Sequence, residues 1–261
     1  ALARAIELNP RHADSLLFEV DRLIDAERHE QAEEILKKVL AVNAKHPSAL
    51  AYRAVIAHLK GDAAGEESWR AAALDSWSTN PEVDHLIGRK LAGKYHFAEG
   101  AAYQRKALAL APGYLPAKLQ LSRDLLRLGL EDEGWRLAEE VFEKDGYNVA
   151  AHNLVALKES VSTFNTLTAD GLEVRMDALE AAVYGANVLQ LLGEAKEVLT
   201  EKYGVEFETP IVVEIFPDKQ DFAVRTFGIP FVDGFLGVCF GPVITANSPA
   251  SLGKTPANWE A

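Results

Sequence analysis

Cysteine is nearly missing from this sequence: Cys239 is the single thiol among 261 residues. One thiol can form neither an intrachain disulfide nor a Cys-cluster zinc site, so stability has to come from packing. No run of 18 apolar residues occurs, which excludes a membrane-spanning helix within the sequence. Positive charge is scarce as well. The net charge is −12, with 25 acidic against 21 basic residues up to position 160 and 14 against 6 beyond it. Such a chain repels polyanions on average, so nonspecific binding to nucleic acid or to anionic membranes is not expected. Histidine is absent after residue 160, since His12, His29, His46, His58, His85, His96 and His152 all precede it. No G-x-S-x-G nucleophile elbow is present. Gly253-Lys254-Thr255 has the tail of a phosphate-binding loop, but Ser248 stands where that loop needs its first glycine.

What is present is a length enough for one large or two ordinary domains, with apolar content of 48%, ample for a buried core. The opening residues Ala1 to Pro10 read as the middle of a helix, with neither an initiator Met nor a signal-peptide pattern. The last residues carry no helix-stop signal. Both ends suggest a piece of something longer.

A period runs through the first part. Ala5-Ile6-Glu7-Leu8-Asn9-Pro10 has its counterpart in Lys106-Ala107-Leu108-Ala109-Leu110-Ala111-Pro112, and Pro10 and Pro112 are three steps of 34 apart. The period places repeat starts at Ala13, Pro47, Pro81 and Leu115, each opening two amphipathic segments. Leu16, Val20, Leu23 and Ile24 line one helical face, and Ala32, Ile35, Leu36 and Val39 line the next. Small residues such as Gly88, Gly100 and Ala107 let paired helices approach closely. One hairpin cannot bury its stripe alone, so neighbours must stack.

Over residues 1–148 this pattern resembles the tetratricopeptide repeat family. At the family's aromatic position near the start of the first helix stand Leu16, Leu50, Asp84 and Lys118. The resemblance implies an α-solenoid whose first helices line a groove for a protein or an extended peptide. Carried over position by position, Asp14, Asp21 and Asp25 would line it, as would His85, Arg89, Arg123 and Arg127. The last four are candidates for a cationic stretch that grips a carboxylate. The alternative is a solvated groove whose cations are partly paired with the aspartates.

After Ser160 the texture becomes β-rich. Val161–Leu167 and Leu172–Met176 flank an Asp170-Gly171 turn and predict a hairpin. A helix is expected over Asp177–Tyr203, with a possible break near Gly185 and Gly204 as its cap. Ile211–Phe216 reads as a strand, Asp218 as the cap of a short helix ended by Gly228, and Phe235–Phe240 and Val243–Asn247 as two strands about Gly241-Pro242. The expected architecture is therefore a mainly α repeat array over 1–160, then a small α+β domain with a mixed or antiparallel sheet over 161–261.

This second region resembles the peptidase MA group of zinc metallopeptidases. The resemblance is carried by Glu214-Ile215-Phe216-Pro217, Asp221–Pro230, Gly237–Ile244 and Asn258-Trp259. It implies the sheet subdomain that precedes the catalytic helix, with zinc in the full-length parent. The H-E-x-x-H pair of that helix is missing, so no zinc site and no cofactor is expected in this stretch, and it should be catalytically silent. The resemblance also makes Val243, Ile244, Thr245, Ala246 and Asn247 the candidate edge strand that pairs with an extended substrate, against the plainer reading of an ordinary sheet strand. Cys239, between Val238 and Phe240, reads as a buried small hydrophobe rather than a nucleophile. Two readings stand: the front part of a repeat-fused metallopeptidase, or an interaction module with a structural α+β domain.

Overall fold

The computed structural model describes residues 2–207 and 210–253. Asn258-Trp259 and Lys254-Thr255, quoted above, lie outside them. Contacts divide the chain into two compact units, Ala1–Asp124 and Leu125–Ala261.

The first unit begins with α1 (Leu2–Leu8), followed by hairpins α2 (Ala13–Asp25) with α3 (His29–Val42), α4 (Pro47–Leu59) with α5 (Ala63–Leu74), and α6 (Pro81–Ala92) with α7 (Phe97–Leu110). The chain continues as α8 (Leu115–Arg127), α9 (Glu131–Lys144) and α10 (Val149–Val161). First helices start at 13, 47, 81, 115 and 149, and second helices at 29, 63, 97 and 131, so every step is 34. The four turns within hairpins repeat too, since Glu27, Gly61, Tyr95 and Gly129 all have positive φ. Glu27 and Tyr95 hold a left-handed conformation that ordinarily favours glycine.

Each helix is anchored by its stripe. Val20, Ile24, Leu36, Val55, Ile87 and Leu91 are fully enclosed in the core of the first unit. Proline opens α4 and α6, where the missing N–H costs nothing. The Asp62 and Asn80 side chains accept from Gly65 N and Glu82 N at the starts of α5 and α6. At Gly88 a Cβ would come within 2.7 Å of Gly100 O and 2.9 Å of Tyr103 Cβ, so α6 and α7 pack nearly backbone to backbone. Asp84, at the position where the repeat family carries an aromatic, is wholly buried. Arg70 of α5 answers it with a two-pronged fork, Nε to Oδ1 at 2.5 Å and the second nitrogen to Oδ2 at 2.8 Å.

The second unit holds a five-stranded mixed sheet of β1 (Asn165–Ala169), β2 (Leu172–Met176), β3 (Ile211–Phe216), β4 (Gly237–Phe240) and β5 (Val243–Asn247), in the order β1-β2-β3-β5-β4. The β1–β2 hairpin turns at Asp170-Gly171, both at positive φ. Helix α11 (Ala178–Tyr203) crosses from β2 to the parallel β3, and α12 (Lys219–Phe227) follows β3. Helix α11 is unbroken. Gly185 lies inside it because a Cβ there would meet Leu167 of β1, so the glycine serves close packing rather than a break. Val174, Met176, Val188, Val213 and Ile215 form the core between α11 and the sheet.

Two expectations change here. Strand β5 is parallel to β3 on one side and antiparallel to β4 on the other, so Val243, Ile244, Thr245, Ala246 and Asn247 lie inside the sheet. Their backbone groups are already engaged, and the outer strand on this side is β4. Cys239 is exposed rather than buried, because alternation along β4 turns Val238 and Phe240 inward and Gly237 and Cys239 outward. The change from helix to strand falls between Val161 and Asn165. Contacts nevertheless group α9 and α10 with the sheet.

Candidate functional site

In the first unit the first helices of three successive repeats meet in a charge network. Asp21 of α2 accepts from Arg89 of α6 at 2.8 Å and from the Tyr52 hydroxyl of α4 at 2.9 Å. Lys90 reaches the Asp21 carboxylate at 3.1 Å, the Asp21 carbonyl at 3.1 Å and Asp25 Oδ1 at 2.5 Å. Lys94 donates to the Asp25 carbonyl at 2.7 Å. Burial pushes the Asp21 carboxyl upward, but Arg89 and Lys90 outweigh it and hold the group below its ordinary value. Burial and the neighbouring Asp21 carboxylate push the Tyr52 phenol up, so it stays a donor. The result is a mixed-charge surface, with Lys90 buried beneath it and the Arg89 side chain 43% exposed.

The four candidate groove cations do not form a free cationic row. Arg89 is committed to Asp21. His85 binds Gln104 through Nδ1 at 2.8 Å and stands edge-on to Tyr114. Burial, the largest effect, lowers the His85 pKa, so the ring is neutral at neutral pH. Arg123 is half-buried, and desolvation lowers its pKa. Arg127 belongs to the second unit, where it donates to the Thr226 carbonyl at 3.4 Å and lies over the Phe240 ring at 5.7 Å.

Sequence inspection did not single out Tyr52, Lys90 or Lys94. A usable signal existed for the central pair, because Asp21 and Arg89 are 68 residues apart, two repeats of 34, and so occupy the same position in their helices.

In the second unit, Glu131, Arg175, Glu214 and Arg225 gather from α9, β2, β3 and α12. Arg225 Nε is 2.7 Å from Glu214 Oε2, Arg175 is 2.5 Å from Glu131, and a longer contact of 3.5 Å joins Arg175 to Glu214. The Arg225–Glu214 contact is an ion pair without hydrogen-bond alignment. Burial raises the Glu214 pKa against the pull of Arg225. Near the opposite strand ends lies a largely apolar cavity of about 320 Å³, with Lys196, Leu199, Tyr203, Phe207 and Ile211 in its wall and the Cys239 thiol beside them.

Among the described residues, one group could hold a metal ion. His58, His96 and Glu99, in the first unit, have ligand atoms within 4.8 Å of one another. None of them was a candidate on sequence grounds, because 38 residues separate the two histidines and no local motif joins them. No described helix is long and apolar enough to cross a membrane.

No protein-family model matches this chain, and no curated protein does. Among solved structures it is similar to YrrB, described as a TPR protein with an unusual peptide-binding site, at 19% identity over 62% of this chain and 84% of that one, with a TM-score of 0.36. It is also similar to pilF of Pseudomonas aeruginosa, at 18% identity over 57% of this chain and 70% of that one, with a TM-score of 0.39.

Proposed function

We propose that this chain is a scaffold that binds a protein or an extended peptide on the first-helix face of its repeat unit. The observation that carries the reading is the Asp21–Tyr52–Arg89–Lys90 network, which is only partly covered and mixes both charges. Such a network can exchange partners. An incoming carboxylate takes the guanidinium of Arg89 from Asp21 bidentately, while Lys90 retains the freed aspartate. Fluorescence titration with acidic peptides tests this. Arg89→Ala combined with Arg123→Ala should weaken binding at least tenfold, and unchanged affinity would sink the reading.

A second reading rests on the sheet. Strand β4 is outermost and antiparallel to its neighbour, and no strand pairs with its far side among the described residues. An extended peptide can add to such an edge through backbone hydrogen bonds. This fits the resemblance to the sheet subdomain of zinc metallopeptidases, with Gly237–Phe240 taking the role expected of Val243–Asn247. In that case the chain is the non-catalytic front of an enzyme whose zinc ligands lie elsewhere in the parent. The next thirty codons of the reading frame decide it: an H-E-x-x-H motif supports the peptidase, and a stop codon removes it.

A further inference from the structure

The side chains at the junction of the second and third hairpins form a set that neither reading uses. His58 lies in the last turn of α4, and Glu66 in the first turn of α5. His96 precedes α7, and Glu99 lies in the first turn of α7. The two imidazole rings stand edge to face at 5.8 Å. His58 Nδ1 is 3.0 Å from Glu66 Oε2, and the Tyr103 hydroxyl donates to the other oxygen of that carboxylate. His96 Nδ1 is 3.3 Å from Glu99 Oε1.

The geometry points to a divalent transition-metal site, with zinc as the natural ion, held by His58, His96 and Glu99 and completed by solvent. Three features support it. First, the Glu66 carboxylate holds Nδ1–H of His58, which fixes the tautomer and leaves Nε2 as a lone-pair donor. A carboxylate behind a ligating histidine is the usual outer-shell arrangement at zinc. Second, the spacing is near what an ion needs. Bonds of about 2.0–2.2 Å in a tetrahedron put neighbouring ligand atoms roughly 3.3–3.5 Å apart. His96 and Glu99 already meet that value, and the ligand atom of His58 lies within 4.8 Å of both. Third, charge balances, because two neutral imidazoles with the carboxylates of Glu66 and Glu99 offset a dication.

The donor set selects the ion. Two imidazoles and one carboxylate suit zinc, cobalt or nickel, whereas magnesium and calcium prefer all-oxygen shells. The helix ends are electrostatically neutral in their effect. The C-terminal turn of α4 favours a cation at His58, and the N-terminal turn of α7 opposes one about equally. The ligands come from two successive repeats, so a bound ion would clasp one hairpin to the next and stiffen the array.

The test uses the full chain freed of metal and titrated calorimetrically with zinc, then with magnesium. One zinc ion per chain is expected, with no comparable heat from magnesium. His96 and Glu99 are nearly half exposed, so His96→Ala and Glu99→Gln should fold normally, as circular dichroism in chelator would verify. Each should bind zinc at least tenfold more weakly. Zinc should raise the unfolding temperature of the parent chain and not that of His96→Ala, and cobalt should give the visible absorption of a tetrahedral site. Equal zinc affinity in the parent and both variants, no binding at all, or equal response to magnesium would each overturn the assignment. No peptide is present in these measurements, so their outcome is independent of the scaffold reading.

Discussion

The two units each bury a charged pair, and they do it differently. In the repeat unit, Asp84 sits where the repeat pattern favours an aromatic, and Arg70 meets it with two aligned hydrogen bonds. In the sheet unit, Glu214 and Arg225 are 3% and 1% exposed at their side chains, touch without alignment, and depend on Arg175 and Glu131 for the rest of their balance. The first is a local repair between adjacent helices. The second ties four elements from distant parts of the sequence together. A repeat array can therefore absorb a misfit at the contact of two successive hairpins, whereas the sheet unit stakes several elements on one cluster.

The largest effect should come from Arg225→Ala, which strands Glu214 in the sheet and should cost about 3–5 kcal/mol. Arg70→Ala should cost less, because Arg70 is partly exposed and water can reach the vacated side. Urea unfolding of both variants measures this, and equal losses would erase the contrast between local and distributed pairing.

A gentler comparison uses the same substitution in each unit. Gly88→Ala forces a methyl against the backbone of Gly100 and should cost about 1–3 kcal/mol. Gly193→Ala, in the middle of α11 with nothing within 4 Å of the added carbon, should stabilise by about 0.5–1 kcal/mol. Shifts of the same sign in thermal unfolding would mean that helix propensity, not hairpin packing, governs both sites.

Legibility followed the range of the interactions. The starts at Ala13, Pro47, Pro81 and Leu115 could be read directly, because apolar spacing and proline punctuation are local. The Asp170-Gly171 turn and the caps at Asp218, Gly204 and Gly228 were equally visible. Strand order was not. Nothing in Val243–Asn247 states that this segment inserts between β3 and β4, since that depends on a parallel pairing with residues some thirty positions away. The composition around Cys239 points inward, but period-two alternation puts it on the opposite face from both Val238 and Phe240. The His58, His96 and Glu99 group requires helices from successive repeats to be assembled before it exists.

Helix α10 is the fifth first helix of the series, and the residues after it enter β1 instead of forming a return helix. Its Ser160 hydroxyl donates to Asp221 of α12, a helix of the sheet unit. The series is thus terminated by a foreign element rather than by a polar closing module. Length can be added or removed in blocks of one repeat only upstream of this junction, so in natural variants the downstream boundary should stay fixed while the count of hairpins before it drifts.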